Sequence, residues 1–158
     1  MLGDRQCLLE CWYAFMHFET RVRVRYEETD RMGVVYHANY FAWFEVGRVE
    51  MLRALGISYR ALEDSGWALT VIDCAAEFRK SAQFDDELLV RARVVSFNRV
   101  RVKIAYEISR GEELLATGHT THAVLERKTC SDGAIELRPA RAPEFLTSAL
   151  SRALTKET

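Results

Sequence analysis

A single long apolar helix constrains the fold of this chain more than any other feature. The residues from Tyr40 to Leu55 are apolar around most of the helix circumference, and aromatic side chains cover the first two turns. Such a helix is buried on several sides rather than lying on a surface. Asn39 is of a residue type that caps helix starts, and Gly56 follows the last turn as a terminating glycine does. Gly47 would cost stability inside the helix, which indicates close packing of the backbone against a sheet.

Strands account for most of the remaining pattern. The segment from Val100 to Ile108 alternates apolar and polar residues and gives the clearest period-two signal of the chain. The short turns between the later strands favour antiparallel pairing. The order therefore predicts an α+β fold in which a five-stranded antiparallel sheet wraps around one long central helix. The predicted strands are Thr20–Glu27, Ala68–Phe78, Glu87–Phe97, Arg99–Ile108 and Leu114–Arg127.

Shorter elements complete the predicted organisation. A short helix is expected over Ser58–Ser65, a polar link over Thr129–Arg138, and a C-terminal amphipathic helix, with Phe145 among its apolar residues, begins at Pro143. A chain of 158 residues is one domain by length. We expect an N-terminal extension over residues 1–17, the domain itself over residues 18–128, and the link with its helix over residues 129–158. The extension is either non-essential or a short helix that packs on the domain or on a neighbouring subunit.

Composition argues against several functional classes. The net charge is −1, without the basic excess that is typical of nucleic-acid-binding domains. No apolar run approaches the roughly 20 residues that a membrane-spanning helix needs, and the N-terminal residues lack the pattern of an export signal. We therefore expect a cytoplasmic protein without a transmembrane segment, whose cysteines are reduced thiols. The four cysteines, Cys7, Cys11, Cys74 and Cys130, show no paired metal spacing.

A carboxylate, a glycine turn and a helix start follow one another between Asp30 and Tyr40. The first amides of a helix have no partner within the helix, and they lie at the positive end of its dipole. A carboxylate that serves as nucleophile or base, placed beside amides that stabilise an oxyanion, is suited to hydrolysing an activated ester.

These residues carry a resemblance to the 4-hydroxybenzoyl-CoA thioesterase family of hotdog-fold proteins. The closer match is to the YbgC-type acyl-CoA thioesterases, a bacterial branch often encoded with the Tol–Pal envelope system. The resemblance runs roughly from Phe18 to Lys128, and it implies a hotdog fold that hydrolyses acyl-CoA to free acid and CoA. The matching motifs are Asp30-x2-Gly33-Val34-Val35-Tyr36-His37-x-Asn39-Tyr40, Phe44-Glu45-x2-Arg48-x2-Met51-Leu52 and Phe84-Asp85-Asp86.

The resemblance also implies roles for individual residues. Asp30 is the expected catalytic carboxylate, which either attacks the thioester carbonyl or activates a water molecule. The backbone amide of His37 is the expected oxyanion donor, and Gly33 lets the loop turn sharply. The His37 imidazole either contributes by orienting water or steering the thiolate, or has no catalytic role. Three neighbours either line the site or serve in packing and capping: Tyr36, Asn39 and Tyr40.

Charged residues elsewhere are candidates for substrate binding. Glu45 and Arg48 lie three residues apart on the helix, so they can pair, or Glu45 can protrude into a pocket. The family resemblance leaves a further alternative open, since a helix carboxylate is the catalytic one in some hotdog families. The phosphates of CoA require cations, and family analogy favours the hairpin turn that carries Arg99 and Arg101. The full set of cation candidates is Arg79, Lys80, Arg99 and Arg101.

No metal or separate cofactor is predicted, since CoA is part of the substrate. His119 and His122 lack the spacing that would place both on one strand face. The exposed strand edge of a lone hotdog predicts a homodimer or homotetramer. Two alternatives stay open: an acyl-carrier-protein thioesterase or hydratase on the same fold, and a non-catalytic acyl-binding scaffold of the cell envelope. No Gly-x-Ser-x-Gly nucleophile elbow occurs, which disfavours a serine hydrolase.

Overall fold

The computed structural model describes residues 18–154, in which one antiparallel sheet curves around a long helix. The expected α+β hotdog arrangement is confirmed, while the predicted N-terminal extension lies outside the described residues. The strand order is β1-β3-β4-β5-β2, and β6 pairs with β5. The strands are β1 (Phe18–Arg23), β2 (Trp67–Phe78), β3 (Glu87–Phe97), β4 (Arg101–Arg110), β5 (Glu113–Thr129) and β6 (Ile135–Pro139). The helices are α1 (Ala38–Ala54), α2 (Tyr59–Asp64) and α3 (Glu144–Leu154), with one 3₁₀ turn at Tyr26–Glu28.

Helix α1 lies directly on the inner face of the sheet. The side chains of Phe44, Met51 and Leu52 are completely buried. A Cβ atom added to Gly47 would lie 2.8 Å from Val90 Cγ1, so the expected close approach of the helix backbone to the sheet is confirmed. On the sheet side of the same interface, Gly118 of β5 leaves space for the ring of Phe44 from the helix, since a Cβ atom at residue 118 would lie 2.5 Å from that ring.

Within residues 18–154 the sheet has six strands rather than the predicted five. Residues 135–139, which were expected to belong to a polar link, form β6 and pair with β5 from Leu125↔Pro139 to Thr129↔Ile135. Strand β5 continues past its pairing with β4, so its free backbone groups there are available to a further strand. Both faces of β6 are largely exposed, which leaves it without the apolar alternation that reveals a strand in a sequence.

Strand β1 ends four residues earlier than predicted, at Arg23. The chain turns at Tyr26–Glu28 because the Glu28 carboxylate accepts the backbone N–H of Arg25 at 2.7 Å. At the other end of the chain, α3 packs four apolar residues into the core, whereas Phe145, expected on its apolar face, is half exposed. The four buried apolar residues are Leu146, Ala149, Leu150 and Ala153.

Strand β2 forms one edge of the sheet. Its residues from Thr70 to Ala75 are exposed, and Val71, Ile72 and Phe78 each leave about half of their surface in solvent. An edge with free backbone groups and exposed apolar side chains is a surface that readily pairs with another strand. None of the helices within residues 18–154 has the length and apolarity needed to cross a membrane.

Candidate functional site

The predicted catalytic carboxylate lies in a closed loop before helix α1. Asp30 N–H donates to the carbonyl of Val34 at 2.9 Å, and Gly33 N–H donates to the carbonyl of Asp30 at 3.0 Å. Gly33 has a φ of 76°, which is the left-handed conformation expected of a glycine in a sharp turn. One carboxylate oxygen of Asp30 accepts the amide of Met32 at 2.8 Å. The other oxygen accepts no hydrogen bond from a described residue, so it is available to a ligand.

The start of helix α1 supplies unpaired amides beside this loop. His37 is the N-cap residue, and the next amides, those of Asn39 and Tyr40, bond back to Tyr36 and His37 at 3.0 and 3.2 Å. The amides of His37 and Ala38 donate to no acceptor within residues 18–154. Such amides at the positive end of a helix dipole can stabilise an oxyanion.

Asn39 does not cap the helix, contrary to the sequence interpretation. It lies inside the first turn, and its side-chain amide donates to the carbonyl of Glu28 at 2.8 Å. The same carbonyl accepts the N–H of Tyr36 at 2.9 Å, and Thr29 pairs with Val35. These bonds close the neck of the loop and hold it against the helix.

Aromatic side chains surround the helix start. The His37 ring is exposed and lies 4.4 Å from the Tyr36 ring and 6.4 Å from that of Phe78. Tyr40 is buried, and its hydroxyl accepts the amide of Ala82 at 3.1 Å. Burial raises the pKa of Tyr40, so its phenol stays neutral. Tyr40 therefore ties the β2–β3 loop to the helix, whereas Tyr36 and His37 face solvent beside Asp30's loop.

The suggested pairing of Glu45 with Arg48 is wrong. Glu45 is exposed, Arg48 is 6% exposed, and no ion pair between them occurs in the described part of the chain. Arg48 Nη1 is buried and has no hydrogen-bond partner among residues 18–154, and the Arg48 guanidinium lies 4.9 Å from the centre of the Tyr59 ring. The helix turns these two side chains in different directions, because Arg48 follows the buried stripe of Phe44 and Leu52.

A buried polar chain lies beneath Arg48 on the inner face of the sheet. The hydroxyl of Thr120 contacts Nε2 of His122 at 2.8 Å and the hydroxyl of Tyr106 at 2.7 Å. Burial, and then the positive charge of Arg48, lowers the pKa of His122 to about 4, although the nearby Leu69 carbonyl opposes that shift. Burial raises the pKa of Tyr106 to about 12. Both groups are therefore neutral near pH 7.

The predicted phosphate-binding cations lie in two different regions. Arg79 is exposed at the end of β2, whereas Lys80 forms an ion pair with Glu113. Arg99 and Arg101 are exposed at the β3–β4 turn. Hydrogen bonds between Val24 and the Asp85–Asp86 segment hold the start of β3 beside the end of β1, near Asp30's loop. The 11 residues of β3 span about 35 Å. The β3–β4 turn therefore lies at the far end of the sheet from Asp30 of the same chain.

The two histidines of β5 lie on opposite faces of the sheet, as predicted. His119 is on the outer face, where Nε2 lies 2.8 Å from Oδ2 of Asp73, and His122 is fully buried on the inner face. Within residues 18–154 no group of three or more His, Cys, Asp or Glu side chains could hold a metal ion. A groove of about 290 Å³ lies between β1 and α1, and its lining residues do not include Asp30 or His37.

Comparison with known proteins decides the family. The sequence profile of the thioesterase-like superfamily matches residues 24–150. The chain belongs to this superfamily. The predicted resemblance to hotdog thioesterases is thereby confirmed, and so is the expected enzyme class, a thioester hydrolase.

Individual relatives agree with that assignment. The acyl-CoA thioester hydrolase YbgC of Escherichia coli is 37% identical over 98 residues, which cover 62% of this chain and 73% of YbgC. The DHNA-CoA thioesterase of Staphylococcus aureus superposes with a TM-score of 0.79 at 32% identity. The superposition covers 87% of the present chain and 91% of the Staphylococcus aureus chain. A hypothetical protein of Thermus thermophilus gives a TM-score of 0.78 at 34% identity over 87% of this chain and 98% of its own.

Sequence reasoning did not assign a role to Glu28, Phe78 or Gly118 in this thioesterase. Glu28 is 6% exposed, and its carboxylate accepts the indole N–H of Trp43 at 3.2 Å. The Phe78 ring lies beside those of Tyr40 and His37, although Phe78 follows both residues by about 40 positions in the sequence. Glu28 also has a local partner in Arg25, but its contact with Trp43 and the contacts of Phe78 and Gly118 join segments distant in sequence, so no local pattern reveals them.

Proposed function

We propose that this thioesterase hydrolyses an acyl-CoA to the free acid and CoA, with Asp30 as nucleophile or general base. One observation carries the proposal: an available carboxylate oxygen and two unpaired amides occupy the same closed loop and helix start. The carboxylate supplies the attacking or activating group, and the amides of His37 and Ala38 stabilise the oxyanion. The family membership and the YbgC relative support a CoA thioester as the substrate.

The reaction requires no strong general acid, because a thiolate is a good leaving group. In one route the Asp30 carboxylate attacks the thioester carbonyl, expels CoA thiolate and leaves a mixed anhydride that water then hydrolyses. In the other route Asp30 removes a proton from the water that attacks the carbonyl. A single-turnover reaction in H₂¹⁸O identifies the anhydride route if the label enters the Asp30 carboxylate, because only attack by water on the Asp30 carbonyl of an anhydride places it there. Label in the first acid released is expected both from direct attack by water and from anhydride hydrolysis at the acyl carbonyl, and trapping of the acyl-enzyme then distinguishes these two cases.

A homodimer through the β2 edge explains the distance between Asp30 and the predicted phosphate-binding turn. The Phe78 end of β2 adjoins His37, and the Leu69 end pairs with Val124 of β5. The amide of Val124 bonds to the carbonyl of Val100, within the β3–β4 turn. Two β2 edges that pair antiparallel about a twofold axis bring the Leu69 end of one subunit to the Phe78 end of the other.

The proposed site is therefore shared between subunits. Asp30 and the helix-start amides of one subunit act on the thioester, while Arg99 and Arg101 of the neighbouring subunit bind the CoA phosphates. Arg79, at the Phe78 end of β2, is a second candidate for that role, whereas Lys80 is committed to Glu113. Because such surface contacts are screened by salt, we expect the KM for acyl-CoA to rise with ionic strength.

Thiol release from a panel of aromatic, short-chain and long-chain acyl-CoAs tests the proposed function. We expect turnover with at least one class and a loss of about 100-fold or more in kcat for Asp30→Asn. Parallel assays with acyl-carrier-protein thioesters and with enoyl-CoA test the two enzymatic alternatives. Binding of acyl-CoA without thiol release, or wild-type turnover by folded Asp30→Asn, would refute the proposal.

A further inference from the structure

Glu28 is a buried carboxylate at the point where three parts of the fold meet. Its side chain is 7% exposed, yet both of its carboxylate oxygens accept hydrogen bonds. Oε2 accepts the backbone N–H of Arg25 at 2.7 Å, and Oε1 accepts the indole N–H of Trp43 at 3.2 Å and the Arg25 guanidinium at 3.3 Å. Because a carboxylate removed from water needs such donors, the orientation of Glu28 is fixed by them.

The backbone carbonyl of Glu28 also accepts two hydrogen bonds. Its carbonyl accepts both the N–H of Tyr36 at 2.9 Å and the side-chain amide of Asn39 at 2.8 Å. Glu28 therefore joins the end of β1, the neck of Asp30's loop and the first two turns of helix α1. Tyr36 immediately precedes His37, whose amide is one of the two unpaired donors.

Asp30 follows Glu28 by two residues, so the placement of Glu28 sets the placement of the catalytic carboxylate. We propose that Glu28 is a positioning residue, which holds the Asp30 carboxylate in register with the unpaired amides at the start of α1. This inference rests on the proposed function of Asp30. Glu28 itself does not touch the substrate, since its two carboxylate oxygens are occupied by Arg25 and Trp43.

Glu28 also contributes to stability, since an apolar residue of similar volume would leave the N–H groups of Arg25 and Trp43 without this acceptor. A side chain that accepts from two separate elements fixes their relative position to within a hydrogen bond's tolerance. Displacements of about 1 Å between reacting groups can lower a rate by about 100-fold, so this precision matters more for turnover than for folding.

Glu28→Gln tests the proposal with the smallest change in shape. The glutamine amide places an N–H₂ group against either the Arg25 amide or the Trp43 indole, where two donors then face each other. We expect kcat to fall by about 10- to 100-fold, with KM changed by less than about threefold. The matched control is Glu27→Gln, which removes a neighbouring carboxylate whose side chain is 71% exposed and should leave kcat unchanged.

A double variant separates positioning of Asp30 from a general loss of structure. If Glu28 acts through Asp30, Glu28→Gln in the Asp30→Asn background should lower kcat by no more than about twofold further. Losses that multiply would overturn the proposal, and so would wild-type kcat in folded Glu28→Gln. If Glu28→Gln does not fold, Trp43→Phe removes the hydrogen bond from the indole N–H to the Glu28 carboxylate. An unchanged kcat in Trp43→Phe would then overturn the proposed role of Glu28.

The same set of variants distinguishes the two proposals. A loss in Asp30→Asn without a loss in Glu28→Gln overturns only the role of Glu28. Wild-type turnover in Asp30→Asn refutes the proposed function and with it the positioning role.

Discussion

The buried imidazole of His122 predicts a specific loss of stability in mild acid. Burial and the charge of Arg48 lower the pKa of His122 from 6.5 to about 4 in the folded protein, whereas the unfolded chain titrates near 6.5. Between these two pH values the unfolded state binds one more proton than the folded state. The free energy of unfolding therefore falls as the pH drops from about 6.5 to 4. Above pH 6.5 the imidazole of His122 is neutral in both the folded and the unfolded state, so it does not change the free energy of unfolding there.

The size of this effect follows from the difference between the two pKa values. Each pKa unit corresponds to about 1.4 kcal/mol, so complete titration of His122 lowers the free energy of unfolding by about 3 kcal/mol. That is a large part of the stability of an ordinary domain, which is about 5–15 kcal/mol. Carboxylates also contribute to acid destabilisation, so the effect of His122 must be measured as a difference between variants.

Urea unfolding of wild-type protein and His122→Gln between pH 7 and pH 4 isolates that difference. Glutamine does not titrate, and its amide can still bond to the hydroxyl of Thr120, which contacts His122 at 2.8 Å in the wild type. We expect the variant to lose about 3 kcal/mol less than wild type over this range. His119→Gln controls for the removal of an imidazole from the outer face of the same strand, where the His119 side chain is 28% exposed. Parallel loss of stability in wild type and His122→Gln would refute the reasoning.

Three further predictions concern catalysis, assembly and packing. Asp30→Asn should lower kcat by about 100-fold or more. His37→Ala keeps the backbone amide that serves as oxyanion donor, so its kcat should stay within about tenfold of wild type. Equal losses of kcat for the two variants in thiol-release assays would instead assign a catalytic role to the imidazole. Activity should return when chains carrying Asp30→Asn are refolded together with chains carrying both Arg99→Ala and Arg101→Ala. Each mixed dimer then contains one intact site, with Asp30 from one chain and the two arginines from the other. A monomer in sedimentation that is fully active would contradict the shared site. Gly118→Ala should lower the free energy of unfolding, measured by urea titration, by about 1–3 kcal/mol. The added Cβ would lie 2.6 Å from the backbone carbonyl oxygen of Ala75, which cannot move aside as a flexible side chain can. Unchanged stability would contradict this packing.

Local patterns in the sequence determined the main elements of the fold. The alternation along β4 predicted an apolar face, and Val102, Ile104 and Ile108 are indeed fully buried. Gly56, with a φ of 86°, ends the region of α1 as expected of a glycine after a helix. The Asp30–Gly33 turn also follows from its own residues, because the carboxylate binds an amide only two residues away. Each of these features depends on side-chain period or on contacts within a few residues.

Only the tertiary structure decided which partners the remaining residues have. Asn39 binds the carbonyl of Glu28 instead of capping its own helix, and Lys80 pairs with Glu113 across the fold. Strand β6 exists because β5 extends past β4 and offers free backbone groups, a circumstance that residues 135–139 do not encode by themselves. A hydrogen bond between distant segments depends on how the sheet curves around α1, so the site around Asp30 takes its precise form from the whole fold rather than from its motif.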